Sequence, residues 1–290
     1  MFISQFVFNG LITGAILSLV AIGFSLIYAT NRFVHFAHGV VLAFGAHMLY
    51  VFFSLFGFPF VAAVFLTLVL SSFLGILVNA LVYVPLRKRK ASNAILLIAS
   101  LALMILIENI LLGVFGPGVK SIGFLTAQKG MSIAGAMVTP LQVLIMVSSL
   151  ILLFIVWFFV KYTKSGRYIR AVSDHPELAM ISGVPVHKIR MLGFAVGSLI
   201  AGLASVFVAL EQNVSPFMGT NLIVKGFAGA VVGGMYSLPG AVLGSFLLGL
   251  GEHLGTMFLP SEYKEAISFT ILFIFLLFRP QGILGIKKKF

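Results

Sequence analysis

The sequence predicts an all-α integral membrane protein, a polytopic bundle of about eight to ten transmembrane helices, some of which could be half-helices. Of its 290 residues, 60% are hydrophobic and only 9% are charged, whereas soluble domains carry roughly 25% charged residues. Mean hydropathy is +1.16. The charged residues lie in short clusters between long apolar runs. We therefore expect residues 1–290 to form a single transmembrane domain.

Apolar runs define the spans, because each transmembrane helix needs about 20 apolar residues. Polar residues occur at membrane depth around 31–39 and 211–225, so one span in either region could be a half-helix or a re-entrant segment. We place the spans near 5–28, 39–56, 59–86, 93–115, 138–160, 191–210, 221–238, 240–258 and 265–279.

Lysine and arginine set the orientation, since the cytoplasmic loops of membrane proteins carry an excess of both. Three basic clusters are predicted to be cytoplasmic: Arg87–Lys90, the loop at about 161–190, and Lys287–Lys289. Arg32 and Arg279 are placed on the same side, and Lys120, Lys129 and Lys264 then fall outside. Because the spans are odd in number, we expect an external N-terminus and a cytoplasmic C-terminus. The net charge of +12 is thereby explained without nucleic acid, which is not an expected partner.

Several chemistries are excluded by residue type. The chain has no cysteine, which removes disulfides, thiolate nucleophiles and cysteine metal sites. His35 and His38 could share a helix face, but nothing supplies further ligands, so no metal is expected. The segment Gly116–Ser121 loosely resembles a phosphate-binding loop but lacks the glycine before its lysine. Because the 7 acidic residues are scattered, we do not expect a membrane-embedded enzyme, nor a cofactor in this chain.

Small residues recur at the spacing that lets transmembrane helices approach closely. They predict tight helix packing in the C-terminal half of the chain. The pairs are Gly193/Gly197, Gly229/Gly233, Gly240/Gly244 and Gly251/Gly255.

The loop at 166–190 is the longest polar stretch, and it predicts a short helix of its own. Asp174 and Glu177 have the spacing of a capping box, and Pro176 suits a first helical turn. Gly183 is placed to end the helix, with Pro185 following.

This loop helix carries apolar residues although it should face the cytoplasm: Leu178, Met180 and Ile181. A helix of about two turns is not stable alone in water. It therefore needs a surface to dock on, which could be a partner protein, its own bundle or the lipid headgroup layer.

Polar residues inside the predicted spans are candidates for a permeation path. An ionisable group within a span costs roughly 3 kcal/mol on insertion scales, and such groups usually face the bundle interior. They either pair with each other and with free backbone or contact a permeating molecule, and both interpretations stay open. The candidates are His38, Glu108, Asn109, Lys225 and Glu252.

Ordered motifs along nearly the whole chain resemble the permease family of branched-chain amino acid ABC importers, in particular its LivH-like subunits. Each motif is weak alone, and their order and spacing together are specific. The motifs are Phe36-Ala37-His38-Gly39, Gly166-Arg167-x-x-Arg170-Ala171, Gly183-Val184, Ser215-Pro216, Lys225-Gly226-Phe227, Val232-Gly233-Gly234, Ser237-x-Pro239-Gly240-Ala241, Glu262-Tyr263-Lys264 and Arg279-Pro280-Gln281-Gly282-Ile283-Leu284-Gly285.

The resemblance implies a non-catalytic permease domain in a bacterial inner membrane. Its implied partners are a second permease, either LivM-like or another copy of this chain, and a periplasmic binding protein. Two cytoplasmic ATPases would bind ATP and magnesium. In this family the loop resembles the coupling helix that seats on an ATPase. The coupling residues so implied are Gly166, Arg167, Arg170, Asp174, Glu177, Ala179 and Gly183.

Two departures from the family pattern leave the substrate open. His35 stands where relatives often carry asparagine, and Glu108 stands where they often carry a neutral glutamine. Related permeases serve branched-chain amino acids, urea and short amides, and all three remain alternatives. An autonomous channel or ion-driven carrier is the other alternative, and it should work without an ATPase.

Overall fold

The computed structural model describes residues 2–124 and 130–285, and nearly all regular structure within them is helical. Predictions on Lys129 and Lys287–Lys289 lie outside the described residues. The helices are α1 (Phe2–Asn31), α2 (His38–Leu49), α3 (Phe60–Val78), α4 (Val84–Lys88), α5 (Asn93–Phe115), α6 (Pro140–Tyr162), α7 (Lys164–Asp174), α8 (Pro176–Ile181), α9 (Val186–Gln212), α10 (Met218–Gly233), α11 (Leu238–Gly255) and α12 (Lys264–Phe278).

Shorter elements extend or connect these helices. Tyr50–Leu55 continues α2 as π-helix, and Asn79–Tyr83 joins α3 to α4 in the same way. Two short antiparallel strands, β1 (Met131–Ile133) and β2 (Ala136–Val138), precede α6. A 3₁₀ turn, Ser261–Tyr263, leads into α12.

The predicted membrane class is confirmed, with fewer full spans than expected. In the described part of the chain, 6 helices are long and apolar enough to cross a membrane, or up to 7 if the α10–α11 pair counts as one span. The spans predicted at 221–238 and 240–258 form that pair, which is bent by 118°. The span predicted at 265–279 is α12, which has 15 residues and is short for a bilayer.

The bend between α10 and α11 comes from glycine and proline. Gly234 has a φ of +112°, which ends α10, and Pro239 stands in the first turn of α11 with Ser237 as its N-cap. The half-helix expected around 211–225 is α10, which begins at Met218 within that range and ends at the bend after Gly233. The position of the bend was not predicted, because a glycine that breaks a helix looks the same in sequence as one that packs helices together.

The first compact unit contains Met1–Ser25, Phe124–Trp157 and Lys225–Phe290. Its described helices pack through glycine, as predicted. A Cβ atom on Gly244 would collide with the carbonyl oxygen of Gly229, and one on Gly251 would collide with the Ile271 side chain. These positions therefore let α10, α11 and α12 approach one another closely.

The second compact unit contains Leu26–Gly123 and Phe158–Val224. Within it, α2 and α3 pack against α9. A Cβ atom on Gly193 would collide with the Thr30 hydroxyl, so the end of α1 meets the start of α9 closely. The buried core of this unit is an aromatic and aliphatic cluster of Ile27, Phe33, Val78, Tyr83, Leu96 and Phe194.

Candidate functional site

The predicted coupling loop contains two helices, α7 and α8, where the sequence predicted one. Thr163 caps α7 by accepting a hydrogen bond from the Gly166 amide at 3.0 Å. A Cβ atom on Gly166 would collide with the Val160 carbonyl oxygen. Only glycine therefore lets α7 fold back onto the last turn of α6.

Arg170 also holds α7 against α6. Its Nη1 donates to the carbonyl oxygens of Val160 at 2.6 Å and Lys161 at 2.9 Å. The last carbonyls of a helix lack intrahelical partners and carry partial negative charge, so a guanidinium stabilises them. Arg167 and Arg170 are both exposed, and Arg170 in addition bonds within the chain.

The end of α8 follows the sequence prediction, but its start does not. Gly183 has a φ of +81°, and its amide donates to Met180 while the Val184 amide donates to Ala179 at 2.9 Å. This is a Schellman motif, which satisfies two carbonyls at a helix end. The capping-box prediction is wrong, because α7 continues through Asp174 and leaves His175 as the extended N-cap residue before Pro176.

The loop presents an apolar surface on α8. Leu178 is 59% exposed, Met180 is 63% exposed and Ile181 is 83% exposed, whereas Ala179 is buried at 5%. Asp174 and Glu177 are exposed beside them. A contiguous exposed apolar patch with a polar border is typical of an interaction surface.

Glu108 lies in the second unit and is 9% exposed. It accepts a hydrogen bond from the Thr220 hydroxyl at 2.9 Å. The neighbouring Asn109 is on the exposed side of α5, where its Nδ2 donates to the Ile105 carbonyl at 2.7 Å. Adjacent residues of one helix thus separate into a buried, bonded carboxylate and an outward-facing amide.

Lys225 and Glu252 are brought together in the first unit. The Lys225 Nζ is 3.0 Å from the Glu252 carboxylate, whose side chain is 1% exposed. Ser268 on α12 donates a hydrogen bond to the same carboxylate oxygen. Lys225 lies within α10, and its side chain is 19% exposed.

His38 begins α2 and is completely buried. Neither of its ring nitrogens has a hydrogen-bond partner among the described residues. His35, in the connection between α1 and α2, has its Nδ1 2.9 Å from the Tyr83 hydroxyl. Burial lowers the pKa of His35 well below its usual value, and His38 and Arg87 lower it further, so this imidazole is neutral at physiological pH.

Sequence reasoning missed the hydroxyl partners in these sites. Thr220 and Ser268 each hold a buried carboxylate. A lone hydroxyl in an apolar helix is common, so the sequence offers no signal that separates these two from the rest. Tyr83 carried only the weak signal of a polar aromatic near the basic cluster at 87–90.

A multi-span helical protein with ionisable groups buried between its helices has the features of a membrane transport protein. The chain belongs to the family described as branched-chain amino acid transport system / permease component, which matches residues 6–276. This finding confirms the resemblance that the motifs predicted.

Individual relatives agree with the family. The chain is 29% identical over 296 residues to the high-affinity branched-chain amino acid transport system permease protein LivH of Escherichia coli (strain K12), covering 97% of this chain and 95% of that protein. It is 32% identical over 303 residues to a probable branched-chain amino acid transport permease protein LivH of Methanocaldococcus jannaschii, covering 97% of this chain and 92% of that one.

Among solved structures, the chain is similar to one from PsaBC of Streptococcus pneumoniae in complex with Fab. The TM-score is 0.52 at 17% identity, and the match covers 94% of this chain and 91% of that chain. At this identity the similarity concerns the fold alone.

Proposed function

We propose that this chain is the membrane-spanning permease subunit of an ABC importer for branched-chain amino acids. A periplasmic binding protein delivers the substrate, a second permease completes the path, and two cytoplasmic ATPases bind ATP and magnesium and drive the cycle. The family match over residues 6–276 carries the proposal. The relatives' names favour branched-chain amino acids over urea or short amides.

The α7–α8 segment is the proposed ATPase-docking element. A six-residue helix such as α8 is unstable alone in water, yet here it is part of a segment that Gly166 and Arg170 fasten to α6. Its exposed face of Leu178, Met180 and Ile181 suits an apolar cleft on a partner. Glu177 is exposed on the same helix and Arg167 is exposed on α7, and both supply charge for recognition.

Buried polar residues of both units support a permeation role. His38, Glu108 and Lys225–Glu252 are ionisable groups held between apolar helices. Asn109, the other candidate from the sequence, is exposed on α5. Groups of this kind mark substrate or ion pathways when they face a bundle interior. We propose that His38 and Glu108, both in the second unit, line a weakly binding path, and that the Lys225–Glu252 pair contributes to permeation within the first unit. The binding protein would set most of the selectivity.

The proposed orientation has the N-terminus outside and the C-terminus in the cytoplasm of a bacterial inner membrane. Arg32, Arg87 and Arg190 support it, because hydrogen bonds through Asn31 and Ser173 draw these predicted cytoplasmic residues together. The backbone bridge between Lys120 and Val214 follows the far ends of α5 and α9, on the predicted external side.

The test is uptake by the reconstituted complex. The chain is co-expressed with its second permease, two ATPases and binding protein, and the complex is placed in proteoliposomes. We expect ATP-dependent uptake of radiolabelled leucine, isoleucine and valine that requires the binding protein. Uptake of urea or acetamide instead would reassign the substrate, and uptake by this chain alone without ATP would indicate a channel or carrier.

A further inference from the structure

Arg32 joins the end of α1 to the end of α7. It follows α1 directly and has a left-handed backbone with a φ of +58°, and its amide donates to the Tyr28 carbonyl at 2.7 Å. Its side-chain Nη2 donates to the carbonyl oxygens of Ser173 at 3.0 Å and Asp174 at 2.6 Å. Both acceptors belong to the last turn of α7.

The hydrogen bonds from Arg32 to the end of α7 join an ionised donor to carbonyls that carry partial negative charge. The last carbonyls of a helix lack intrahelical partners and carry partial negative charge. Hydrogen bonds from an ionised donor are roughly twice as strong as neutral ones. Asp174 is also the residue before the extended His175, where α7 turns into α8. Arg32 therefore holds the joint between the two loop helices.

Arg32 belongs to the connection from 31 to 37, and hydrogen bonds fix this connection to three further helices. Asn31 accepts a hydrogen bond from Arg87 Nη2 at 2.7 Å and donates to the Arg190 carbonyl at 3.5 Å. The Phe36 amide donates to the Ser100 hydroxyl at 2.8 Å. The connection from 31 to 37 is thus seated on α4, α5 and α9.

That connection leads directly into α2, which contacts α10. A Cβ atom on Gly39 would lie 2.6 Å from the Gly219 carbonyl oxygen, so the two backbones touch. The next residue, Thr220, holds the Glu108 carboxylate. A displacement of the connection would therefore reach the contact beside Glu108.

We infer that Arg32 is a positioning residue that links the α7–α8 joint to the start of α2 and so transmits movement between the docking loop and the polar residues around Glu108. The inference rests on the proposed function as a permease subunit. Gly166 and Arg170 fasten the beginning of α7 to α6 independently. Loss of Arg32 should therefore loosen the joint without detaching the loop.

The test compares Arg32→Gln, Arg32→Lys and, as a control, Arg89→Gln in the assembled complex. Arg89 is exposed, so its replacement removes the same charge from the same predicted side. We expect Arg32→Gln to keep basal ATP hydrolysis and to lower its stimulation by liganded binding protein about tenfold, a typical coupling between sites. Arg32→Lys should retain part of the stimulation, because the lysine ammonium can reach the carbonyls although it lacks the planar guanidinium group.

A second measurement follows the joint without needing transport. The chain has no cysteine, so spin labels at Ser182→Cys and Lys88→Cys report one distance specifically. We expect a narrow distance distribution with Arg32 and a broad one with Arg32→Gln. The inference is overturned if Arg32→Gln leaves the width of the distance distribution unchanged. It is also overturned if liganded binding protein stimulates ATP hydrolysis fully in Arg32→Gln. A wild-type complex that substrate never stimulates would contradict the proposed function instead, and the labels would still test the contact.

Discussion

The amine of Lys225 on α10 and the carboxylate of Glu252 on α11 lie 3.0 Å apart across the bend of 118° between these helices. Ser268 on α12 donates to the same carboxylate, so one buried acid holds three helices. Removing one member of a buried ion pair leaves an uncompensated charge, which costs about 3–5 kcal/mol. The pair therefore fixes the geometry of the bent segment.

Single replacements in this pair should be more harmful than the double replacement. Lys225→Met leaves Glu252 unpaired, and Glu252→Gln leaves Lys225 unpaired. We expect each single variant to lower the thermal unfolding midpoint in detergent markedly, and Lys225→Met with Glu252→Gln to recover much of the loss. The unfolding midpoints are measured by fluorescence-detected size exclusion after heating. If the loss in the double variant equals the sum of the two single losses, the two charges are not coupled.

Much of the fold follows from the apolar runs, because a span is a local property of sequence. The boundaries predicted for 93–115 match α5, and those for 138–160 match α6 within two residues. The bend after Gly233 could not be predicted, since packing glycines and breaking glycines look alike in sequence. The helix α7 was missed because most of its residues are polar, and the buried residues Gly166, Ile169 and Val172 did not stand out among them.

The sequence predicted which residue types would matter at the site, but not which groups their side chains would bond to. Glu252 and Lys225 stood out as charges at membrane depth, yet their pairing depends on the bend that the sequence did not reveal. Arg170 was predicted as a coupling residue, and its bonds to the last carbonyls of α6 were not foreseen. Which atom an arginine reaches depends on the packing of two helices, and no local pattern encodes that.

Glu108 should tolerate loss of its charge better than loss of its hydrogen bond. Glu108→Gln keeps an oxygen that accepts from Thr220, so we expect uptake close to wild type. Glu108→Leu takes the acceptor from the half-buried Thr220 hydroxyl, which costs up to about 1–3 kcal/mol, and should lower folded protein yield and uptake. Thr220→Val with Glu108→Leu removes both polar partners and should partly restore the yield.

Uptake kinetics separate this expectation from a direct role of the charge. If Glu108→Gln folded and assembled normally but lost uptake, the negative charge itself would be needed in the path. Asn109→Leu is the matched control, because Asn109 neighbours Glu108 in the chain but donates to the Ile105 carbonyl of its own helix. This replacement should leave the Thr220 contact intact.

The orientation can be checked with single cysteines in this cysteine-free chain. Lys88→Cys and Lys164→Cys should react with a membrane-impermeant maleimide only after the cells are opened. Gly118→Cys and Glu262→Cys should react in intact cells. All four positions are exposed, so accessibility within the fold does not limit the reaction. Labelling of Lys164→Cys from outside would refute both the orientation and the ATPase-docking role of α7–α8.

Gly183 ends α8 in a left-handed conformation with a φ of +81°, and its side-chain position is open. Among the described residues, no atom beyond its chain neighbours would lie within 4 Å of a Cβ placed there. The cost of substitution is therefore confined to the backbone. That cost is roughly 1–2 kcal/mol for most residues and is smaller for asparagine, which adopts this conformation more readily. Gly57, between α2 and α3, has a φ of +68° in equally open space and is a matched control.

Gly183→Val should therefore displace the end of the docking helix and leave the rest of the chain folded. We expect complexes that keep basal ATP hydrolysis but lose most of its stimulation by substrate-loaded binding protein. Gly183→Asn should retain stimulation, and Gly57→Val should lose similar stability without losing coupling, because it lies on the predicted external side. The decisive comparison is stimulated hydrolysis in proteoliposomes for the three variants. Equal stimulation in Gly183→Val and wild type would mean that the end of α8 does not seat on the ATPase. If Gly57→Val lost as much stimulation as Gly183→Val, the effect would come from stability rather than from docking.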